Sequence, residues 1–121
     1  MKKDRILIVE DQDNLRETWK MILNTLNVNP FTAENGEEAV EILKTEDIAI
    51  VVTDLQMPVK DGYYVLEYLK SNTKNIITWV CTGQLIPNPP LTNFIVHKTV
   101  LKPFNMILES KELVALLQNQ D

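Results

Sequence analysis

The chain is poor in the residues that staple small folds. Its 121 residues include one cysteine, Cys81, and one histidine, His97. A single thiol excludes a disulfide within the chain. One Cys and one His cannot supply the ligand set of a structural zinc site. Cys81 ends the apolar run Ile76 to Cys81, so it reads as a small core residue. An excess of positive charge is also missing: 12 Lys and Arg stand against 17 Asp and Glu, a net charge of −5. That argues against a broad nucleic-acid face, which needs clustered cations. Long apolar runs are missing too. After Met1-Lys2-Lys3-Asp4-Arg5 come only Ile6 to Val9 before Glu10-Asp11. Four apolar residues are too few for a signal-peptide core or a membrane span. The expectation is a cytoplasmic setting with no membrane partner.

What remains is an ordinary globular composition, 45% hydrophobic and 24% charged. The length suits one compact domain over residues 1–121, large enough to bury a core. Short apolar runs alternate with helical patterns. Ile6 to Val9 reads as a strand buried on both faces. Asp13 or Asn14 can cap a helix that carries Leu15, Trp19, Ile22, Leu23 and Leu26 on one face. Val28 to Ala33 reads as a second strand, placed at a sheet edge by Pro30, which cannot donate a ladder hydrogen bond. Asn35-Gly36 turns into a helix over Glu37 to Leu43, with acids in its first turn. Ile48 to Val52 is a third strand ending at Thr53-Asp54, and Tyr63 to Lys70 a third helix. Ile76 to Cys81 ends at Thr82-Gly83. Thr99 to Leu101 ends at Lys102-Pro103, and Asn105 precedes a last helix over Ile107 to Leu117. This alternation predicts an α/β fold: a doubly wound, five-stranded parallel sheet in the flavodoxin-like order 2-1-3-4-5.

Ligands of such sheets sit at the carboxyl ends of the strands, near the switch point between strands 1 and 3. That rule gathers Glu10 and Asp11 from strand 1, Asp54 from strand 3, Thr82 from strand 4 and Lys102 from strand 5. Three carboxylates so close would repel by roughly 4 kcal/mol per pair at an effective dielectric near 20. Mg²⁺ relieves this with oxygen ligands: Asp11 and Asp54 directly, Glu10 directly or through water. Asp54 can then attack a phosphoryl donor to give an acyl phosphate. Lys102 would neutralise the phosphoryl oxygens, and Thr82 would donate a hydrogen bond to them.

The chain resembles receiver domains of bacterial response regulators over nearly its whole length. The matching stretches are Ile6-Leu7-Ile8-Val9-Glu10-Asp11, Ala33-Glu34-Asn35-Gly36-Glu37-Glu38-Ala39, Asp54 through Pro58 to Asp61-Gly62, Thr82-Gly83 and Lys102-Pro103-Phe104. The resemblance implies a signalling module, either a single-domain regulator or part of a longer chain, phosphorylated on Asp54 by a histidine kinase or histidine phosphotransfer protein. It implies Gln56, two residues after Asp54, as a metal ligand through its backbone carbonyl. It implies no enzyme activity beyond the domain's own phosphoryl transfer and autodephosphorylation.

Each residue also has a plainer role. Glu10, Asp11 and Asp13 could be acids at a helix start, Asp54 a turn cap, Thr82 a partner for a loop N–H, and Lys102 a solvated lysine. Their joint occurrence at strand ends favours the phosphoacceptor site. A phosphatase of the haloacid-dehalogenase type also uses an Asp nucleophile after a strand, but it needs a second Asp two residues on, where this chain has Gln56. A pseudo-receiver that binds partners without phosphorylation is the other alternative. Two departures from the family pattern bear on output. Thr99 stands where the family often carries an aromatic switch residue. Pro87, Pro89 and Pro90 occupy the expected start of the helix between strands 4 and 5, so that helix should be short or irregular and begin near Leu91. Phe94-Ile95-Val96 would then pack on the core or offer a partner or homodimer contact. His97 reads as a surface or edge residue, and Trp79 as either core or loop-facing.

Overall fold

The computed structural model of the chain describes residues 5–72 and 75–119; Met1 to Asp4, named above, lie outside them. Five strands form one parallel sheet: β1 (Ile6–Val9), β2 (Phe31–Ala33), β3 (Ile50–Asp54), β4 (Ile77–Thr82) and β5 (Lys98–Leu101). Their order is β2-β1-β3-β4-β5, as the alternation predicted. Pro30 immediately precedes β2, which occupies one edge of the sheet. Strand 2 is shorter than expected, starting at Phe31 instead of Val28, although Val28 is buried.

Four helices flank the sheet: α1 (Asp13–Thr25), α2 (Gly36–Thr45), α3 (Gly62–Ser71) and α4 (Met106–Gln118). The period-2 geometry of a strand splits β1 between two cores. Ile6 and Ile8 pack with Trp19, Leu23, Trp79 and Leu113 on the α1 and α4 side. Leu7 and Val9 pack with Ala39, Leu43, Val51 and Val65 on the α2 and α3 side. Trp79 is core, 1% exposed, and Lys98 Nζ lies 4.5 Å from its ring centre. Glu109 and Glu112 of α4 hold that ammonium at 2.7 and 2.9 Å, joining β5 to α4.

Three helices start as their side chains dictate. Asn35 accepts the Glu38 N–H, Asp61 accepts the Tyr64 N–H, and Asn105 accepts the N–H groups of Ile107 and Leu108. Each bond satisfies a donor with no intrahelical partner. The start of α1 differs from expectation. Gln12 is its N-cap without a side-chain bond, while Asp13 is already helical and pairs with Arg16. The charge of Asp13 still favours the helix dipole from that position.

Between β4 and β5 the structure has a single 3₁₀ turn, Leu91–Asn93. Leu91, Phe94 and Val96 pack against Leu55, Leu66 and Val80. An irregular strap, with its one helical turn starting at Leu91 as the prolines predicted, therefore covers the sheet face where the family pattern places a helix. Ile95 is left 67% exposed, and Leu85 and Ile86 more so.

Candidate functional site

The parallel register delivers the side chains. Val9 lies beside Thr53, so the residues after β1 meet the end of β3. Asp54 in turn lies beside Cys81, and Thr82 beside Leu101. Glu10, Asp11, Asp54, Thr82 and Lys102 thus come together at one rim. Glu10, Asp11 and Asp54 each offer a carboxylate oxygen, all within 4.8 Å of one another. Lys102 Nζ sits 2.6 Å from Asp54 Oδ1 and 4.0 Å from Glu10 Oε1. A cleft of about 290 Å³ opens above them, lined by Asp11, Gln12, Asp54, Gln56, Thr82, Gly83 and Lys102.

The surroundings fix these groups. The Gln12 N–H donates to Glu10 Oε2 at 3.2 Å, and Arg16 Nη1 donates to the Glu10 carbonyl at 2.9 Å. The Gln84 N–H donates to Thr82 Oγ1 at 3.0 Å. That hydroxyl keeps its own proton for another acceptor. The Lys102 N–H donates to the Thr82 carbonyl at 2.8 Å, tying the β5 end to the β4 end. Gly62 presses its backbone on the Asp54 carbonyl, and a Cβ there would overlap that oxygen.

Burial sets the electrostatics. Glu10 is 4% exposed and Asp54 6%. Burial, and next the charge of Asp54, push the Glu10 carboxyl up to about 7. Burial also pushes the Asp54 carboxyl up, against the hydrogen bond and charge of Lys102. For Lys102, burial disfavours the ammonium, but Asp54 and then Glu10 outweigh it and hold the group above its ordinary value. Cys81, beside Asp54, is pushed up to about 12, chiefly by burial. The rim therefore carries more negative charge than one lysine offsets. Its donors are hard carboxylate oxygens, the set that suits Mg²⁺ and not a soft metal.

Some residues stand apart from this site. His97 lies just before β5, at the other end of the strands, and its Nδ1 accepts the Thr78 N–H at 3.0 Å. Thr99 is exposed beside Val80. Other features are invisible in the sequence. Gln12 lines the cleft, although only its neighbours were singled out. Gly62 ends the matching stretch Asp54 to Gly62, which gives no sign of its approach to the Asp54 carbonyl. Val59 has φ 70° in the loop after β3, a conformation that β-branched residues rarely adopt. Tyr63 donates to the Pro89 carbonyl, 26 residues away.

Residues 6–107 match the family model described as the response regulator receiver domain. The chain belongs to this receiver-domain family of two-component signalling. It is 32% identical over 119 residues to the probable transcriptional regulator ycf27 of Porphyra purpurea, covering 98% of this chain and 47% of that protein. Over 65 residues it is 40% identical to the autoinducer 1 sensor kinase/phosphatase LuxN of Vibrio campbellii, covering 54% of this chain and 8% of the other. The chain thus spans less than half the length of either curated relative. The response regulator TrrA of Thermotoga maritima, solved in complex with Mg²⁺ and BeF, superposes with a TM-score of 0.80 at 28% identity, covering 93% of this chain and 98% of that one. A signal receiver domain from Vibrio parahaemolyticus shares the fold, with a TM-score of 0.84 at 21% identity and cover of 98% and 92%. Among the described residues, no helix is long and apolar enough to cross a membrane.

Proposed function

We propose that Asp54 accepts a phosphoryl group from a histidine kinase or histidine phosphotransfer protein, and that residues 1–121 act as one receiver domain, in the cytoplasm, whose partner binding follows that modification. The observation that carries this reading is the meeting of buried Glu10 and Asp54 with half-buried Asp11 within 4.8 Å, with Lys102 Nζ 2.6 Å from the Asp54 carboxylate. Glu10, Asp11, Asp54 and the Gln56 backbone carbonyl would hold Mg²⁺. When bound, the metal supplies positive charge against these carboxylates and the incoming phosphoryl oxygens.

The chain's own groups divide the remaining work. One Asp54 carboxylate oxygen attacks phosphorus; the donor's P–N bond breaks, and its imidazole leaves with the bonding pair. Lys102, whose ammonium pairs with Asp54 Oδ1 in the unmodified domain, shifts that ion pair to a phosphoryl oxygen. Thr82 donates its free proton to another. These residues serve one transfer onto the domain itself and its later hydrolysis, not turnover of an outside substrate. The Gln56 side of the cleft offers no second carboxylate to protonate a leaving group, so the phosphatase alternative lacks its acid.

Acetyl phosphate in the presence of Mg²⁺ should add one phosphoryl mass to the intact chain, and both EDTA and Asp54→Ala should abolish the adduct. Undiminished labelling of Asp54→Ala would remove Asp54 from this role. Absence of any adduct in the parent would favour the pseudo-receiver alternative.

A further inference from the structure

The strap between β4 and β5 is held at two points. Two hydrogen bonds that involve side chains tie residues 84–90 to the rest of the described chain. At the near end the Gln84 N–H donates to Thr82 Oγ1 at 3.0 Å. At the far end the Pro89 carbonyl accepts from the Tyr63 hydroxyl at 2.6 Å. Between them, packing contributes little. A Cβ at Gly83 would meet nothing within 4 Å, and Leu85 and Ile86 are 81% and 83% exposed. A helix here would hold the Thr82–Gly83–Gln84 turn through its own backbone ladder. This chain has no such ladder, and Pro87, Pro89 and Pro90 stiffen the stretch instead.

The far anchor stands in the first turn of α3, outside the lining of the cleft. Tyr63 is the second residue of α3, directly after Gly62, the residue pressed on the Asp54 carbonyl. Its ring packs on Phe94 at 6.1 Å between centres, and Lys70 Nζ lies 5.6 Å over that Phe94 ring. Burial, and then the charge of Asp61, push the Tyr63 hydroxyl up, so it stays a donor at neutral pH.

We propose that Tyr63 is a positioning residue for the phosphoacceptor site: through the Pro89 carbonyl it anchors the strap, and the anchored strap fixes the turn that carries the Thr82 hydroxyl. The proposal rests on the Asp54 reading above. Glu10, Asp11 and Asp54 do not depend on the strap, so the anchor acts on the phosphoryl-binding side and not on the metal side. The Tyr63 hydroxyl thereby takes over a restraint that a regular helix would provide.

Tyr63→Phe keeps the ring and removes the bond. Calorimetric titration with Mg²⁺ alone, and then with beryllofluoride at saturating Mg²⁺, separates the two halves of the site. A single hydrogen bond has a worth that predicts beryllofluoride binding roughly three- to ten-fold weaker in Tyr63→Phe, with Mg²⁺ affinity within about two-fold of the parent. The Gln84 amide should exchange faster by a similar factor. Phe94→Leu, which trims the ring contact and keeps the anchor, should bind beryllofluoride as the parent does. Parent-like beryllofluoride binding in Tyr63→Phe overturns the proposal, as does an equal loss of Mg²⁺ affinity or an equal loss in Phe94→Leu. A parent that binds Mg²⁺ but no beryllofluoride defeats the Asp54 reading itself, and this proposal with it.

Discussion

Without metal, the site should make the domain less stable as pH rises through neutrality, and Glu10→Gln should remove most of that loss. Glu10 ionises at 4.5 in an open chain but at about 7 in the fold. A carboxyl raised on folding binds more protons in the native state than in the unfolded one between those values. Its contribution is therefore fully present below 4.5 and is lost as pH climbs through 7. At about 1.4 kcal/mol per pH unit, ionised Glu10 costs the fold up to about 3 kcal/mol. Asp54 is raised as well and adds in the same direction. Lys102 is raised from 10.5, so its contribution is constant across this window. A loss near 3 kcal/mol is a large share of the roughly 5–15 kcal/mol that stabilises a typical domain. Urea unfolding in EDTA at pH 5 and pH 8 reads it directly. The parent should be weaker at pH 8, Glu10→Gln should be flatter and stronger than the parent at pH 8, and Mg²⁺ should restore the parent far more than the variant. A parent whose metal-free stability rises from pH 5 to pH 8, in parallel with Glu10→Gln, would refute the reasoning.

Three further outcomes follow from the geometry. Lys102→Ala should still bind Mg²⁺, because no metal ligand is removed, but should lose most of the spectral change that phosphorylation produces; a full change would assign Lys102 another role. Val59→Asn should raise stability by roughly 1 kcal/mol, since Val59 is 72% exposed and its left-handed backbone costs a β-branched residue about that much; an unchanged urea midpoint would remove the strain. Gln56→Ala and Gln84→Ala should each shift the phosphoaspartate half-life by at least about two-fold, because an amide beside the cleft can orient or block the attacking water; identical decay to the parent would exclude both side chains.

The strand ends were readable because each site residue follows a run that must be buried. Ile6 to Val9 leads to Glu10, Ile50 to Thr53 leads to Asp54, and the pleat gives a continuous apolar run no other fate. Asn35, Asp61 and Asn105 cap helices by bonds to residues two or three along the chain, which spacing alone can suggest. Gln12 escaped that logic because its contribution is a backbone N–H, which every residue but proline has. The Tyr63 to Pro89 bond and the pressure of Gly62 on Asp54 depend on how separate segments meet, and no local pattern records that. Trp79 stayed open for a similar reason: only the arrival of Lys98, held by Glu109 and Glu112, shows how its ring is covered. The three prolines were the exception among long-range features. Spaced at 87, 89 and 90 they exclude a regular helix through that stretch whatever packs on it, so the strap was visible before any contact was known.

The lone thiol has a practical use. Cys81 is 4% exposed in a strand paired on both sides, and burial, which pushes its thiol up to about 12, leaves almost no reactive thiolate at neutral pH. Thiol-directed reagents can therefore modify Cys81 only when β4 leaves its neighbours. Since Cys81 lies beside Asp54 in register, the rate of its modification clocks the opening of the strand pair that carries the acceptor. The native protein thus contains its own chemical stopwatch, and adding a ligand to the cleft should slow it without any engineered label.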